Sequence, residues 1–260
     1  MSLIWGEALR KVYPEQEPRY RPSGIGKCGL QQAGMVSGVK SQNQDWTAIW
    51  QWELGRAGQD IILNAFPGLG FRTIGVSNLV EDGPLPGEDD YECEALPGNI
   101  LDIPAGTLIL ADVKVRAMYA YVYIWGSKGD LMAENPDIGM QMVMYMGQRG
   151  YKKGMIILAP FDSSAVRNEI RFKKNAPLVD THLRVFSFDF NPELYLLGLE
   201  RLAILQEFGV KVAPEFNPYA GKFPCTYCGI IDWCKGHGQE GVMLPEVPGY
   251  GLPMLEHEIP

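Results

Sequence analysis

The chain of 260 residues is 46% hydrophobic and 21% charged, which fits one large globular domain, or one domain with a small appendage. Its net charge of −8 argues against a protein that coats nucleic acid through bulk positive charge, although an enzyme can concentrate carboxylates at a metal site. The longest apolar stretch, residues 108–125, contains Asp112, Lys114 and Arg116, so we expect no membrane span. The N-terminus has no basic region followed by an apolar one, and a reducing, cytoplasmic setting without disulfides is therefore expected.

The apolar patterns predict an α/β fold in which helices flank a central mixed β-sheet. Residues 1–40, rich in Gly, Pro and Gln, are expected to be irregular. Apolar residues at helical spacing predict a buried helix from Asp45 to about Ala65. Two apolar segments, residues 99–103 and 107–115, then predict the strands of a β-hairpin.

The remaining elements follow from apolar runs and helix caps. An acidic, turn-rich segment at residues 83–98 is expected to lead into the hairpin. The later elements are, in chain order, a strand at 117–125, a helix that begins at Asn135 and Pro136 and ends near Gln148, strands at 154–159 and 183–190, and a helix from Asn191 and Pro192 to about Gly209.

Three cysteines, Cys225, Cys228 and Cys234, lie within ten residues of one another. Three thiols this close in a cytosolic protein indicate a metal site. The fourth ligand distinguishes the metals, because zinc accepts a histidine such as His237, whereas an iron–sulfur cluster normally takes a fourth thiolate. The spacing by itself leaves both open.

Cys28 is the candidate for that fourth thiolate. It lies in SGIGKCGLQQAG, a segment with turn character and no core periodicity, and a bond from it would tie the two ends of the chain together. Cys93, inside the acidic YECEAL, is expected to be an ordinary strand cysteine.

An acid and a lysine interrupt the apolar run LILADVKV. Asp102 is expected to end the first hairpin strand, and Asp112 and Lys114, two positions apart on the second, share one face of it. Burying them is costly unless they are paired or bind something, which indicates a site. Carboxylates bind hard divalent metal ions, and a metal ion beside a cation is what phosphodiester cleavage requires. The alternative is an edge strand with one solvated face.

Two polar residues on the predicted helix at 135–148, Gln141 and Tyr145, are four positions apart and therefore face the same way. Taken alone, they are equally consistent with core residues whose hydrogen bonds are satisfied. A basic segment lies between two predicted strands and is a candidate path for a DNA backbone, or else a solvated hairpin. Its residues are Arg167, Arg171, Lys173 and Lys174.

In chain order these motifs resemble the RecB-like branch of the PD-(D/E)XK nucleases. The resemblance is closest to the iron–sulfur exonucleases associated with CRISPR adaptation and to their phage relatives, and it spans nearly the whole chain. It rests on the segment from Ser23 to Cys28, the helix residues from Gly55 to Gln59, Asp102, the triplet Asp112-Val113-Lys114, the segment from Gln141 to Tyr145, and the closing Cys225, Cys228 and Cys234.

The resemblance implies a single nuclease domain over residues 1–260, in which segments 1–40 and 215–260 together form the iron–sulfur region. A structural 4Fe–4S cluster would be bound by Cys28, Cys225, Cys228 and Cys234.

The resemblance also implies the catalytic roles. Asp102 and Asp112 would bind Mg²⁺ or Mn²⁺, with the carbonyl of Val113 as a third contact. Lys114 would stabilise the attacking hydroxide or the pentavalent phosphate. Gln141 and Tyr145 would position that lysine or the DNA backbone.

One position departs from the family pattern. In such families a G-x-x-x-H motif supplies a histidine to the metal, and the matching residue here is Gln59, after Gly55. An amide oxygen can bind a hard ion, but more weakly than imidazole binds a transition metal. Glu53 on the same helix would compensate only if the helix were distorted.

Three hypotheses follow. The first is a metal-dependent deoxyribonuclease, an exonuclease that acts on single-stranded DNA ends in the cytoplasm, or in the host cytoplasm if the protein is viral. The second is a DNA-binding accessory protein that keeps the fold and the cluster but has lost efficient catalysis, as Gln59 would permit. The third, a zinc-stabilised interaction module, leaves the buried charges unexplained. Assembly into a homo-oligomer or a nucleoprotein complex is left open.

Overall fold

The structure is a computed structural model that describes most of the chain. The described residues are 18–41, 46–76, 79–80, 84–88, 91–116, 135–160, 184–222, 224–225, 228–238, 240–248 and 255–257. The predicted strand at 117–125 and the basic residues Arg167, Arg171, Lys173 and Lys174 lie outside these ranges, as does the predicted cap Asp45.

In the described part of the chain a six-stranded mixed sheet runs in the order β1-β4-β5-β6-β7-β8, and a separate two-stranded ribbon joins β2 to β3. Within the main sheet β5 and β6 are parallel, while the other neighbouring pairs are antiparallel. The predicted α/β class with a mixed sheet is confirmed. The strands are β1 (Phe71–Val76), β2 (Leu79–Val80), β3 (Gly87–Glu88), β4 (Tyr91–Ala95), β5 (Leu108–Arg116), β6 (Lys153–Pro160), β7 (Arg184–Asp189) and β8 (Leu255–His257).

Helices cover both faces of this sheet. The described helices are α1 (Pro22–Ile25), α2 (Gly29–Val36), α3 (Trp46–Ala65), α4 (Pro136–Arg149), α5 (Pro192–Phe208) and α6 (Ile231–His237), with short 3-10 turns at Phe66–Leu69 and Gly209–Lys211. None of the described helices combines the length and the apolar character that a membrane crossing requires.

The predicted helix boundaries at 135–148 and 191–209 are confirmed to within a residue. Pro136 occupies the first turn of α4, where its missing N–H costs nothing, and Gly150 ends that helix with a φ of 76°. In α5 the side-chain oxygen of Asn191 accepts a hydrogen bond from the Leu194 N–H at 2.9 Å. This is the N-terminal cap that the sequence predicts.

The sheet separates two hydrophobic cores, because side chains alternate along β5. Leu110 belongs to the core beneath α4 and α5, whereas Ile109 and Val113 belong to the core beneath α3. Both cores are buried, so β5 is a central strand covered on both faces, not the edge strand weighed as an alternative.

The predicted hairpin has a different first strand. Residues 99–103 form a loop, and β5 pairs with β4, in the segment expected to be turns. The Asn99 side chain explains the loop, because it donates to the carbonyls of Leu96 and Ile103 and accepts from the N–H groups of Leu101 and Ile103. Because the Asn99 amide forms these hydrogen bonds with the backbone, the loop takes the place of the predicted partner strand.

The N-terminal segment is also more regular than expected. Residues 22–36 contain α1 and α2, and Leu30 and Ala33 are fully buried. The prediction of an irregular segment is wrong here, because these short helices depend on tertiary packing and show little periodicity of their own.

Candidate functional site

The middle of β5 carries a buried ion pair. The Asp112 side chain is on the face that points towards α4, and the residue is only 1% exposed. Lys114 Nζ lies 2.7 Å from Asp112 Oδ2. The predicted sharing of one strand face is therefore confirmed, and the charge of each group is compensated by the other.

Helix α4 places an amide beside this pair. Lys114 Nζ donates to Gln141 Oε1 over 3.5 Å, so the lysine lies between a carboxylate and an amide oxygen. Tyr145, one turn later, is buried and its hydroxyl lies beside Gly87. A Cβ added at Gly87 would lie 2.6 Å from Tyr145 Oη, so the ring packs directly on the backbone there. The structure thus brings Gln141 to Lys114 and Tyr145 to the segment at 84–88.

On the opposite face of β5, α3 approaches the strand closely. A Cβ added at Gly58 would lie 2.7 Å from Val115 Cγ1, so only glycine permits this approach without a shift. Gln59 Nε2 then donates to the Val113 carbonyl oxygen at 2.8 Å. Two predicted metal contacts, Gln59 and Val113, are therefore in direct contact with each other. Glu53 instead pairs with Arg56 at 3.4 Å on the exposed side of the helix.

Asp102 lies outside the strands that carry this group. It is exposed and lies in the loop before β5, with a φ of 51° that non-glycine residues rarely adopt. Asp112 is the fifth residue of β5, so about 13 Å of strand, at roughly 3.3 Å per residue, separates its level from Leu108, where β5 begins. The expectation that Asp102 meets Asp112 across a hairpin required a strand at 99–103, and that strand is absent.

A second buried carboxylate, Glu92, lies on the same face instead. Glu92 pairs with Leu110 across β4 and β5, so its side chain points to the face that carries Asp112 and Lys114. Arg149, at the end of α4, forms an ion pair with Glu92. The period-two alternation in YECEA could have indicated a strand that contains Glu92. The surrounding segment is acidic and turn-rich, so turns were expected there instead.

The oxygen donors of this site suit a hard divalent cation in type. Carboxylate oxygens from Asp112 and Glu92 and the carbonyl of Val113 are ligands that Mg²⁺ and Mn²⁺ accept, with water completing the shell. As the side chains stand, no group of three or more His, Cys, Asp or Glu residues in the described ranges is arranged to hold a metal ion. A metal here would bind few protein ligands.

The charges of the candidate cysteines raise the pKa values of Cys225 and Cys234, although no three cysteines in the described ranges are arranged to hold a metal ion as they stand. The pKa of Cys234 is raised to about 11, first by burial and then by the charges of Cys28, Cys228 and Cys225. Burial likewise raises the pKa of Cys225, followed by the charges of Cys28 and Cys228. The Cys228 N–H donates to the Cys225 carbonyl at 3.1 Å. Residues from both ends of the described chain therefore converge.

Cys28 lies immediately before α2. The pKa of this thiol is raised, first by burial and also by the charge of Glu215, although hydrogen bonds from the backbone of Gln31, Glu215 and Leu30 lower it in part. N–H donors of this kind favour a thiolate, which is the form that binds a metal.

The other two sulfur or nitrogen candidates have separate roles. His237 Nε2 lies 2.6 Å from the Val210 carbonyl oxygen, and its ring stacks on Trp233 with centroids 4.6 Å apart. That nitrogen must donate to the carbonyl, which leaves Nδ1 as the acceptor nitrogen of the ring. Cys93 is buried in β4, where burial raises the pKa of its thiol to about 12. It behaves as a core residue.

No family model matches the chain, and no curated protein matches it. Among solved structures, the chain is similar to the crystal structure of SSO0001, with 14% identity and a TM-score of 0.45, over 91% of this chain and 96% of that one. It is also similar to the crystal structure of LHK-Exo in complex with dAMP, with 11% identity and a TM-score of 0.43, over 79% of this chain and 91% of that one. Similarities of this degree do not transfer an activity from one protein to another.

Proposed function

We propose that the protein is a metal-dependent deoxyribonuclease that removes nucleotides from DNA ends, preferentially from single strands. The observation that carries this proposal is the Asp112–Lys114 pair, with Gln141 on the same lysine, in the middle of a central strand. A buried acid and lysine stabilise a fold little more than apolar residues of the same size would. Their chemistry is that of a phosphodiester-cleaving site.

In this proposal the carboxylate of Asp112 and the carbonyl of Val113 hold Mg²⁺ or Mn²⁺, with Glu92 as a second carboxylate on the same face. The bound ion would polarise the phosphate and activate a water molecule. Lys114 would donate a hydrogen bond to the phosphate oxygen on which charge develops. Gln141 accepts a hydrogen bond from the lysine and limits the directions in which its ammonium can point.

We also propose that Cys28, Cys225, Cys228 and Cys234 bind a 4Fe–4S cluster. The mutual charge effects among the cysteines support this ligand set. The cluster would act as a structural clasp between segments 1–40 and 215–260 of one nuclease domain. Its role would be structural.

The direct test uses protein purified without oxygen and end-labelled single- and double-stranded DNA. With Mn²⁺ the wild type should shorten single strands progressively, and EDTA should stop it. Asp112→Asn should be inactive, whereas Asp102→Asn, a matched acid-to-amide change in the loop before β5, should cleave at the wild-type rate. If Asp112→Asn cleaves DNA as fast as the wild type, the cleavage site is not at Asp112.

A second candidate function, a DNA-binding accessory protein with little catalysis, is favoured by one contact. The Val113 carbonyl already accepts a hydrogen bond from Gln59, so a metal would have to share or displace that bond. If the wild type binds DNA but is inert with Mg²⁺ and Mn²⁺, this candidate replaces the first. If Gln59→His then gains activity, one missing metal ligand explains why the wild type does not cleave DNA.

A further inference from the structure

A single buried arginine links α5 to the cysteine region. Arg201 is fully buried, and a buried guanidinium is tolerated only when its charge and its N–H donors are matched. Its Nη1 and Nη2 atoms pair with the two carboxylate oxygens of Glu215 at 2.9 and 3.1 Å. This two-point geometry fixes both side chains relative to each other.

The remaining donors of Arg201 bind main-chain carbonyls. Nε donates to the Ile25 carbonyl at 2.9 Å, and Nη2 donates to the Lys27 carbonyl at 2.9 Å. Nη1 also donates to the Pro245 carbonyl, in the C-terminal segment. One side chain thus holds backbone from both ends of the described chain.

Glu215 completes the arrangement on the other side of Cys28. Its Oε2 atom accepts a hydrogen bond from the Gly29 N–H at 2.6 Å. The carbonyl of the residue before Cys28 and the N–H of the residue after it are therefore both bound by the same ion pair. Rotation of the Cys28 backbone would break at least one of these charged hydrogen bonds.

A second contact brings the cysteine-bearing helices together without any metal. A Cβ added at Gly34, on α2, would lie 2.8 Å from Trp233 Cζ3 and 2.9 Å from Ile230 Cδ1. Trp233 precedes Cys234 on α6, so α2 packs directly on the element that carries another of the four thiols.

We infer that the Arg201–Glu215 pair is the positioning element of the cysteine site, and that it fixes Cys28 in place before any metal binds. The site is then preformed, and metal binding need not order the N-terminal segment. The effect on metal retention rests on the cluster proposal, whereas the fixed position of Cys28 does not.

The test compares amide hydrogen exchange in metal-free protein, prepared by chelation under nitrogen. In the wild type the Gly29 N–H should be protected. In Glu215→Gln it should exchange about tenfold faster or more, as expected when a hydrogen bond to a charged group is weakened. Asp189→Asn, which neutralises the carboxylate of the exposed Lys153–Asp189 pair, is the matched control and should leave Gly29 unchanged.

Retention of iron is the second readout. From reconstituted protein a chelator should remove iron faster from Glu215→Gln than from wild type or Asp189→Asn. If Glu215→Gln does not fold, the double variant Arg201→Met with Glu215→Leu removes both charges and leaves no unpaired charge in the core. Faster Gly29 exchange in that variant would support the inference equally.

Two outcomes would overturn it: an unprotected Gly29 N–H in the metal-free wild type, or equal exchange in wild type and variant. A wild type that takes up no iron would end the cluster proposal only. The exchange comparison in that same protein would still decide whether the ion pair fixes Cys28.

Discussion

At the residue scale, the Asp112–Lys114 pair is what distinguishes β5 from an ordinary central strand. Both side chains are largely buried, with 2% and 15% of their side-chain surface exposed, and 2.7 Å separates their charged atoms. Removing one partner would leave the other charge uncompensated in the core, which typically costs about 3–5 kcal/mol of stability. The pair is therefore costly to disturb and, we propose, is retained for chemistry.

Replacing Lys114 and replacing Asp112 should have different effects on cleavage and on metal binding. Lys114→Ala should lower the cleavage rate by about a hundredfold or more, as removal of one electrostatic stabiliser usually does, while Mn²⁺ affinity stays close to wild type. Asp112→Ala should lower both the cleavage rate and the Mn²⁺ affinity. Single-turnover cleavage with Mn²⁺ titrated by electron paramagnetic resonance separates the two effects. Unchanged turnover in Lys114→Ala would exclude it from the catalytic group.

Cys93 offers a pH-dependent prediction, because burial raises the pKa of its thiol from 9.0 to about 12. Below pH 9 the thiol is protonated in the folded and the unfolded protein alike, and above it the unfolded chain ionises first. The wild type should therefore lose stability relative to Cys93→Ala as the pH rises from 9 towards 12. Urea unfolding at several pH values measures this, and a constant difference would contradict it.

At the element scale, the approach of α3 to β5 depends on one glycine of two. A Cβ added at Gly58 would lie 2.7 Å from Val115 Cγ1, whereas one added at Gly55, one turn earlier, would meet nothing within 4 Å. Gly55 was the glycine that the family pattern singled out. In the structure it is Gly58 that makes the close contact. The sequence alone does not distinguish Gly58 from Gly55.

These two glycines form a matched pair for measurement. Gly55→Ala should stabilise the protein by about 0.5–1 kcal/mol, because alanine favours a helix more than glycine does. Gly58→Ala should destabilise it by about 1–3 kcal/mol, since the methyl group must displace Val115 or the helix. Denaturant unfolding of both variants gives the sign directly. If both stabilise the protein, α3 is not held against the strand in this way.

Sequence patterns located six of the described helices and strands, namely α3, β5, α4, β6, β7 and α5, and gave β5 the wrong partner. The boundaries of α4 and α5 follow from Asn-Pro caps and terminal glycines, which are local signals. The partner of β5 was misassigned because residues 99–103 are apolar enough for a strand but are held as a loop by Asn99. Which segment pairs with a strand is a non-local matter.

At the scale of the whole molecule, the four cysteines belong to segments that are about 200 residues apart in the chain. Anaerobically purified protein should be brown, absorb broadly near 400 nm and contain about four irons per chain, as 4Fe–4S proteins do. Alanine at Cys28, Cys225, Cys228 or Cys234 should remove the colour and lower the thermal stability, because metal binding contributes to folding. Cys93→Ala should keep the colour. Zinc without iron would contradict this prediction.

The sequence by itself determined the boundaries of α4 and α5, the shared face of Asp112 and Lys114 and the cysteine pattern, because caps, strand alternation and short spacings are local properties of a chain. Only the tertiary structure decided that Glu92, not Asp102, lies on the face of Asp112, and that Gln59 meets the Val113 carbonyl. It also decided that Arg201 and Glu215 hold the backbone around Cys28. Those contacts depend on strand register and on the packing of distant helices, and the free energies that select them come from burial across the whole fold.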